Sequence, residues 1–304
     1  MHQSANRILM IRPHGFRMNE ETAVNNFYQD RNNKSVETAE LALREFDGLV
    51  KELASHHVDV YVWDDPNALD TPDNLFPNNW ISFHDQNRVV LYPMFAENRR
   101  RERNPAIIQS LFPGKDSLKI LDLSKHESNA QFLEGTGSLV LDRINKIAYA
   151  AISPRTHVDL VSDWCDRMGF KPILFHAYQS AEGNRLPIYH TNVMMSIGTS
   201  FASVCPDCID DEAERNDVLN SLRKLKKEII ILTEDQINEF AGNMLEIRNS
   251  KNESLIVMST RAYNSLDQEQ KNQLNRFGTI VHSSLEVIEK FGGGSARCML
   301  AEVF

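Results

Sequence analysis

A cysteine, a histidine and a glutamate stand in three loops, and together their side chains suit thiol chemistry. Cys298 follows the glycine-rich stretch Gly292–Gly294, whereas His190 and Glu134 lie far upstream. Only a thiolate is a good nucleophile, and an adjacent base can generate one near neutral pH. A histidine can act as that base and as an acid toward a leaving amine, while a glutamate orients the imidazole. These residues predict nucleophilic catalysis; the alternatives are a buried structural cysteine and a histidine without a catalytic role.

The loops fall at one phase of a repeat along the chain. Five small or polar residues each lead into a short apolar run, at spacings of roughly 51 to 58 positions: Asn79, Gly137, Asn192, Asn243 and Arg297. A second strand, a helix and a third strand follow, which gives ββαβ units. Repeats of this size bury their apolar faces against one another, and five can close into a ring. The pattern predicts an α/β fold, a five-bladed α/β propeller around a central site, as a single domain over residues 1–304.

Other apolar patterns assign the remaining elements. Strands are predicted at 7–12, 58–63, 88–92, 146–151, 173–175, 229–232 and 255–258, and helices at about 20–28, 99–111, 156–168 and 260–276. A further helix is predicted to run to about His56, with Ser35 as its N-cap and Glu37 in its first turn. The polar segment from about 13 to 34 is a candidate lid.

Composition excludes several classes of protein. The 304 residues are 41% hydrophobic and 25% charged with a net charge of −9, which is typical of a globular chain and argues against a nucleic-acid surface. The basic run Arg99–Arg103 is predicted to be a solvated helix start. We find neither a signal-peptide pattern nor the roughly 18 apolar residues that span a membrane. Four cysteines make no disulfide framework. We expect a reduced, cytoplasmic protein, and a homo-oligomer is possible.

At these motifs the chain resembles the guanidine-modifying superfamily, whose members share the pentein fold. The superfamily includes arginine deiminases, dimethylarginine dimethylaminohydrolases and amidinotransferases, and the likeness runs from Arg7 to Phe304. The glycine-rich cysteine loop is the most specific motif. Pro72–Asn79 looks like the dimethylarginase pattern Pro-Asp-Ser-(apolar)-Phe-Val-Glu-Asp. Leu133–Gly135 is similar to the family's glutamate loop, and Tyr189-His190 is similar to its histidine loop. Ser153–Thr156 is similar to a Ser-x-Arg-Thr segment whose arginine holds the substrate carboxylate.

The resemblance implies a role for each motif residue. Cys298 would attack the central carbon of a guanidinium-like group, His190 would protonate the departing amine and then activate water, and Glu134 would support the histidine. Arg155 would pair with the α-carboxylate of an amino-acid substrate, a bidentate contact that suits a guanidinium. Asp73 would take the α-amino end. The alternatives are a surface-paired helix-start residue for Arg155 and a turn residue for Asp73. The chemistry requires no cofactor and no metal.

Asparagines stand where arginine-cleaving members carry carboxylates. Asn78 and Asn79 replace the Glu-Asp of the dimethylarginase pattern, and Asn192 replaces the aspartate of the His-x-Asp pair of arginine deiminases. A guanidinium in a closed pocket needs compensating carboxylates, whereas amides suit a neutral ureido group. The chain also looks most like the citrulline-utilising hydrolase branch. These features predict conversion of L-citrulline to ornithine, ammonia and carbon dioxide through an S-carbamoyl-cysteine. An arginine deiminase, dimethylargininase or amidinotransferase is the alternative.

The segment Cys205-Pro206-Asp207-Cys208 leaves another class of function open. It could be half of a zinc site in a metal-stabilised binding module, although one CxxC lacks the second pair of ligands. Two thiols between a strand and a helix are the other interpretation. A pentein that binds proteins without catalysis is also open, but the presence of cysteine, histidine and glutamate together argues against it.

Overall fold

The computed structural model describes residues 2–30, 36–64, 70–114, 118–181 and 183–304. Its strands are β1 Arg7–Ile11, β2 Asp59–Trp63, β3 Ile81–His84, β4 Arg88–Leu91, β5 Lys119–Asp122, β6 Val140–Asp142, β7 Ile147–Ala151, β8 Lys171–Phe175, β9 Tyr178–Ala181, β10 Asn184–Pro187, β11 Met195–Ile197, β12 Phe201–Val204, β13 Glu228–Ile231, β14 Leu245–Arg248, β15 Ser254–Ser259, β16 Thr279–Ser283 and β17 Ala301–Val303. Its α-helices are α1 Val36–Ser55, α2 Glu97–Arg100, α3 Pro105–Leu111, α4 Gly135–Ser138, α5 Val158–Met168, α6 Glu212–Lys224, α7 Glu234–Asn238, α8 Thr260–Ser265, α9 Gln268–Asn275 and α10 Glu286–Gly292.

Five three-stranded sheets share one topology. They are β3-β4-β5, β6-β7-β8, β11-β12-β13, β14-β15-β16 and β17-β1-β2. In each, the first two strands pair antiparallel and the third runs parallel to the second. The parallel pairing requires a crossover connection, and every crossover contains a helix. The mixed α/β class expected from the sequence is therefore confirmed, while the arrangement as a five-bladed propeller remains a prediction.

The first and last strands bring the two ends of the chain into one sheet. The register pairs Arg7 with Val303 and Leu9 with Ala301. Residues 8–11 are all buried, as expected for a strand covered on both faces. The loop that carries Cys298 is consequently anchored by a strand from the other end of the sequence.

A helical turn precedes four of the five first strands, so those strands begin later than predicted. Four of the predicted strand starts, Asn79, Gly137, Asn192 and Arg297, lie in the turns at Pro77–Asn79, α4, Thr191–Val193 and Ala296–Met299. The turn at Pro77–Asn79 contacts α4 and the turn at Ala296–Met299, and α4 also contacts the turn at Thr191–Val193. Residues about fifty positions apart therefore become neighbours.

The helix predicted at about 20–28 is wrong, because this segment forms successive turns instead. The Asn19 side-chain oxygen accepts the backbone N–H of Glu21 at 3.2 Å, and that of Asn26 accepts the N–H of Tyr28 at 3.2 Å. Such side-chain bonds compete with helical ones. The predicted N-cap, Ser35, lies outside the described residues.

Helix α5 shows how the helices close the core. Its buried residues are Leu160, Val161, Trp164, Cys165 and Met168, which form one apolar stripe against the second sheet. Several described elements had no assigned counterpart in the sequence prediction, among them strands β5, β12 and β16, helices α6 and α10, and the antiparallel pair β9-β10. Among the described residues, no helix is long and apolar enough to cross a lipid bilayer.

Candidate active site

Cys298 lies in the helical turn that follows the glycine-rich loop. Gly293 has φ +61°, a left-handed conformation that favours glycine. A Cβ on Gly294 would stand 2.9 Å from the Phe76 ring, so the loop packs too closely for a side chain. The Cys298 backbone N–H donates to the Ser295 carbonyl at 3.0 Å, and the residue is only 4% exposed. The thiol is therefore held rigidly at a buried position.

Two amide groups point their N–H donors at the Cys298 sulfur. Asn243 Nδ2 lies 3.3 Å and Asn192 Nδ2 3.6 Å from Sγ. Hydrogen bonds to the charged form of a group favour that form, so this pair suits a thiolate. Arg297 instead donates to the Leu300 carbonyl at 2.8 Å and to Glu302, so the neighbouring cation is engaged elsewhere.

His190 and Glu134 form a buried pair beside the thiol. His190 Nε2 lies 2.8 Å from Glu134 Oε2, and the other carboxylate oxygen accepts the Phe95 N–H at 2.9 Å. Because an ionised carboxylate only accepts, we assign the imidazole proton to Nε2. His190 Nδ1 is then the nitrogen with a lone pair. This is the tautomer that a general base near Cys298 needs.

The pKa values of both members of this pair are lowered, for different reasons. Burial lowers the pKa of His190 to about 4, although Glu134 favours the protonated ring. Burial alone would raise the pKa of Glu134, but Arg155, His190 and Arg99 outweigh it and hold the pKa well below its usual range. The resting site thus contains a neutral imidazole and an ionised glutamate at neutral pH.

Arg155 binds both the glutamate and the N-terminal segment. It approaches Glu134 Oε2 to 3.5 Å and donates to the Thr22 carbonyl at 2.9 Å. Its Nε and Nη2 both donate to Asn25 Oδ1, at 2.9 and 2.5 Å. The Tyr189 ring lies 4.9 Å from the guanidinium carbon. Arg155 is a buried residue of the site, and its helix-start alternative is not what the structure shows.

Asp73 is a buried carboxylate with one oxygen engaged and one not. Its Oδ2 accepts from Asn19 at 2.7 Å and from Thr22 at 3.1 Å. Its Oδ1 has no hydrogen-bond partner among the described residues. Burial raises the pKa of this carboxyl, against the opposing effect of Arg99. A polar atom buried without a partner marks a place where a ligand group can bind.

Asn78 and Asn79, the two asparagines that precede strand β3, occupy different environments. Asn79 Oδ1 accepts from Arg99 Nη1 at 2.8 Å, and its Nδ2 is buried without a partner among the described residues. Asn78 is also buried, but it does not line the cavity described below.

These side chains surround one cavity of about 260 Å³. It is lined by Thr22, Asn26, Asp73, Phe76, Asn79, Arg99, Arg155, Tyr189, His190, Gly292–Gly294 and Cys298. Glu134 and Asn192 do not line the cavity themselves, but they contact His190 and the Cys298 sulfur, which do. Thr22 and Asn26 bring the N-terminal segment to the cavity wall, while the role of that segment as a lid remains a prediction.

Several residues of this site were not predicted from the sequence, among them Thr22 and Asn26 of the cavity wall, Arg99, Asn243 and Asn25. Arg99 is 2% exposed, so the prediction of a solvated helix start is wrong for it; Glu102, three residues on, clamps it inside the fold. Asn243 was not predicted, because the loop that leads into the fourth repeat carries no acid, base or nucleophile. Its position in that repeat, equivalent to that of Asn192 in the third, was the signal that could have identified it. Nothing in the sequence pattern marked Asn25.

Cys205 and Cys208 lie apart from this cavity as a buried thiol pair. Their sulfurs are 3.0 Å apart, with Cys208 donating to Cys205. Among the described residues, no three His, Cys, Asp or Glu side chains group as a metal ion would require. Within the part of the chain that the structure describes, the zinc alternative therefore lacks a second pair of ligands.

A comparison with models of protein families identifies the family to which the chain belongs. It belongs to the family described as N,N dimethylarginine dimethylhydrolase, eukaryotic, whose model matches residues 12–304. It is thus a member of the pentein guanidine-modifying hydrolases, which act on carbon–nitrogen bonds. No curated protein sequence matches it.

Several solved structures share the fold. The N-terminal domain of ArgZ, an arginine dihydrolase from the ornithine–ammonia cycle in cyanobacteria, is 18% identical in its product complex, with 98% of this chain and 97% of that chain covered and a TM-score of 0.73. AgrE bound to L-arginine is 19% identical, with 98% and 40% covered and a TM-score of 0.72. DDAH from Pseudomonas aeruginosa in complex with citrulline is 14% identical, with 98% and 99% covered and a TM-score of 0.65. At these identities the likeness supports the fold alone.

Proposed function

We propose that the protein hydrolyses the ureido group of L-citrulline to give ornithine, ammonia and carbon dioxide. One observation carries the choice of substrate: the side chains that face the reacting sulfur are the amides of Asn192 and Asn243, with Asn79 on the cavity wall. The nearby carboxylate of Glu134 is engaged by His190 and Arg155. A neutral ureido group both donates and accepts hydrogen bonds, which matches amides.

The first half-reaction forms a covalent intermediate. His190 accepts the thiol proton at Nδ1 as Cys298 attacks the ureido carbon, and the bond from this carbon to the side-chain nitrogen of ornithine breaks. The same proton then passes from His190 to the departing amine. Glu134 stabilises the imidazolium that exists between these transfers. The product is an S-carbamoyl-cysteine with its NH2 group intact.

Water completes the reaction. His190 takes a proton from water as the oxygen attacks the carbamoyl carbon, and the carbon–sulfur bond breaks to regenerate Cys298. Carbamate leaves and decomposes to ammonia and carbon dioxide. Over both halves one water is consumed and no electron is transferred.

The amino-acid end of the substrate is assigned to two buried charges. Arg155 binds the α-carboxylate after Asn25 has withdrawn from it, and Asp73 Oδ1 accepts from the α-ammonium group. Citrulline and L-arginine are the ligands named for the DDAH and AgrE complexes, which supports an amino acid of this length. Asn78, the other asparagine predicted to bind substrate, is buried with both polar side-chain atoms unpartnered among the described residues, but it does not line the cavity.

The fold that holds this site is proposed to be a single five-bladed propeller over residues 1–304. Pairing of β17 with β1 joins the chain ends, and first strands of different sheets contact one another, namely β3 with β17, β6 with β11, and β11 with β14. One domain should unfold in a single calorimetric transition, whereas two separable transitions would contradict it.

A guanidinium substrate is the second candidate, because Asp73 offers a buried carboxylate oxygen that has no partner within the described ranges and because ArgZ is an arginine dihydrolase. Purified protein should therefore be given L-citrulline and L-arginine separately, with ornithine, citrulline and ammonia measured. Ornithine and ammonia from citrulline alone support the proposal, and citrulline formed from arginine contradicts it.

Two variants make this assay decisive for the mechanism. Cys298→Ala should abolish turnover. Cys165→Ala is the matched control, since Cys165 is equally buried but packs in the core around α5, away from the cavity. Turnover that survives Cys298→Ala would remove the covalent mechanism.

A further inference from the structure

We infer that Arg99 is a positioning residue that selects the reacting group of the substrate by fixing the orientation of the Asn79 amide. Through this contact the cavity presents an N–H donor, which favours a ureido carbonyl over a guanidinium. The inference rests on the proposed function for the identity of the preferred substrate, while the orientation of Asn79 follows from the structure alone.

Arg99 is held in one position by several partners. It is 2% exposed, and Glu102 accepts from its Nε at 2.8 Å and from its Nη2 at 3.0 Å. The Phe76 carbonyl accepts from Nη2 at 3.2 Å. A planar guanidinium clamped on one edge by a carboxylate has little freedom to turn. Its remaining nitrogen, Nη1, is therefore aimed at Asn79.

The contact with Arg99 decides which end of the Asn79 amide faces the cavity. A guanidinium has only donors, so the amide oxygen must face it, at the observed 2.8 Å. The Nδ2 group is thereby turned away from Arg99, and it is buried without a partner among the described residues. A Cβ placed on Gly137 would stand 2.5 Å from this Nδ2 and 2.8 Å from His190 Nδ1. The unpartnered donor therefore lies close to the proposed base.

A donor at this place distinguishes two otherwise similar substrates. A ureido oxygen can accept from Asn79 Nδ2, whereas a guanidinium has only N–H groups and would leave two donors facing each other. An unsatisfied buried donor lowers binding by roughly 10- to 100-fold. An aspartate at position 79 could accept from Arg99 with one oxygen and from a guanidinium with the other. The Asn79→Asp change should thus reverse the preference without disturbing Arg99.

Binding can be measured without turnover in the Cys298→Ala background, with the dissociation constants of L-citrulline and L-arginine determined by calorimetry. Adding Asn79→Asp should shift the ratio of the two constants toward arginine by about 100-fold. Adding Arg99→Lys should shift it in the same direction by about 10-fold, because a lysine cannot hold both Glu102 and Asn79. The same ratio of kcat/KM values should move in parallel in the proteins that retain Cys298.

Arg103→Lys provides the matched control for Arg99→Lys. Arg103 also clamps a carboxylate with two nitrogens, at 2.6 and 2.9 Å from Glu127, and does not line the cavity. It should lower thermal stability while leaving the ratio unchanged. If Arg99→Lys fails to fold, Asn79→Asp alone decides the question.

The outcomes separate the inference from the proposed function. The positioning role of Arg99 would be overturned if Asn79→Asp left the ratio of the two dissociation constants unchanged. It would also be overturned if Arg103→Lys shifted this ratio as far as Arg99→Lys does. Both outcomes hold whichever substrate the unmodified protein turns over. Turnover of arginine alone by the unmodified protein would contradict the proposed function. The same shift on Asn79→Asp would still uphold the orientation of the amide.

Discussion

Replacing Glu134 by glutamine tests whether its charge sets the catalytic tautomer of His190. The carboxylate accepts from His190 Nε2 at 2.8 Å and from the Phe95 N–H at 2.9 Å. A glutamine that keeps its oxygen toward Phe95 must turn its NH2 group toward the imidazole. His190 then accepts at Nε2 and carries its proton on Nδ1, the nitrogen that should act as base. The perturbation keeps size and polarity but reverses the direction of one hydrogen bond.

The expected loss in kcat is about 10⁴-fold, as for the corresponding acid-to-amide change in the serine protease triad. At about 1.4 kcal/mol per tenfold, this corresponds to about 5 kcal/mol of transition-state stabilisation. Stability should fall by about 3 kcal/mol, the lower end of the cost of breaking a buried ion pair, because Arg155 keeps Asn25 and the Thr22 carbonyl as partners.

Ornithine release from citrulline gives kcat, urea unfolding gives stability, and ¹⁵N imidazole shifts report the tautomer. Glu127→Gln is the matched control, because Glu127 accepts the Met94 N–H at 2.8 Å and pairs with Arg103 but does not line the cavity. It should lose stability and retain kcat. The reasoning is refuted if Glu134→Gln loses less than about tenfold in kcat, or if Glu127→Gln loses as much.

Three further predictions test the site's electrostatics and packing. Burial lowers the pKa of His190 from 6.5 to about 4, so between these pH values the unfolded chain binds a proton that the native state does not bind. The free energy of unfolding should therefore fall by about 3 kcal/mol as the pH falls from 6.5 to 4. In chemical denaturation, His190→Gln should make the free energy of unfolding depend less on pH over this range. Asn25→Asp places a carboxylate against the Arg155 guanidinium, which is proposed to bind the substrate carboxylate. This carboxylate would compete with the substrate, so KM should rise about tenfold at constant kcat. Gly137→Ala brings a Cβ within 2.8 Å of His190 Nδ1, and kcat should fall about 100-fold; Gly48→Ala, whose Cβ would be 3.5 Å from its nearest neighbour, should have no effect on kcat.

The repeat made much of the site predictable. Glu134, His190 and Cys298 are far apart in sequence, but each immediately precedes or lies within a turn that leads into the first strand of a sheet. Because these turns contact one another, equivalent positions meet in space. The strand boundaries were less accurate: a helical turn and a strand start share the same polar-to-apolar change, so the sequence cannot separate them over two or three residues.

Residues outside the repeat could not be found in this way. Arg99 belongs to a run of charges, and charge alone favours the surface; only the tertiary fold shows that Glu102 and the Phe76 carbonyl compensate its burial. Asn25 lies in a polar segment without periodicity, and its contact with Arg155 spans 130 positions. The identity of a buried polar side chain's partner is a property of the fold, which local sequence does not encode.

The N-terminal segment makes the hydrogen bonds that the α-carboxylate and α-ammonium groups of an amino acid would make. Asn25 Oδ1 takes two N–H groups of Arg155, as a carboxylate would, and Asn19 and Thr22 donate to Asp73, as an ammonium group would. Substrate entry therefore exchanges hydrogen bonds of buried charges rather than leaving those charges unpaired, which would cost several kcal/mol. The same demand explains why the segment is not a helix, since its polar side chains are directed at two charges on separate elements. Because this segment occupies the partners proposed for the amino-acid head, we expect its movement to precede every turnover.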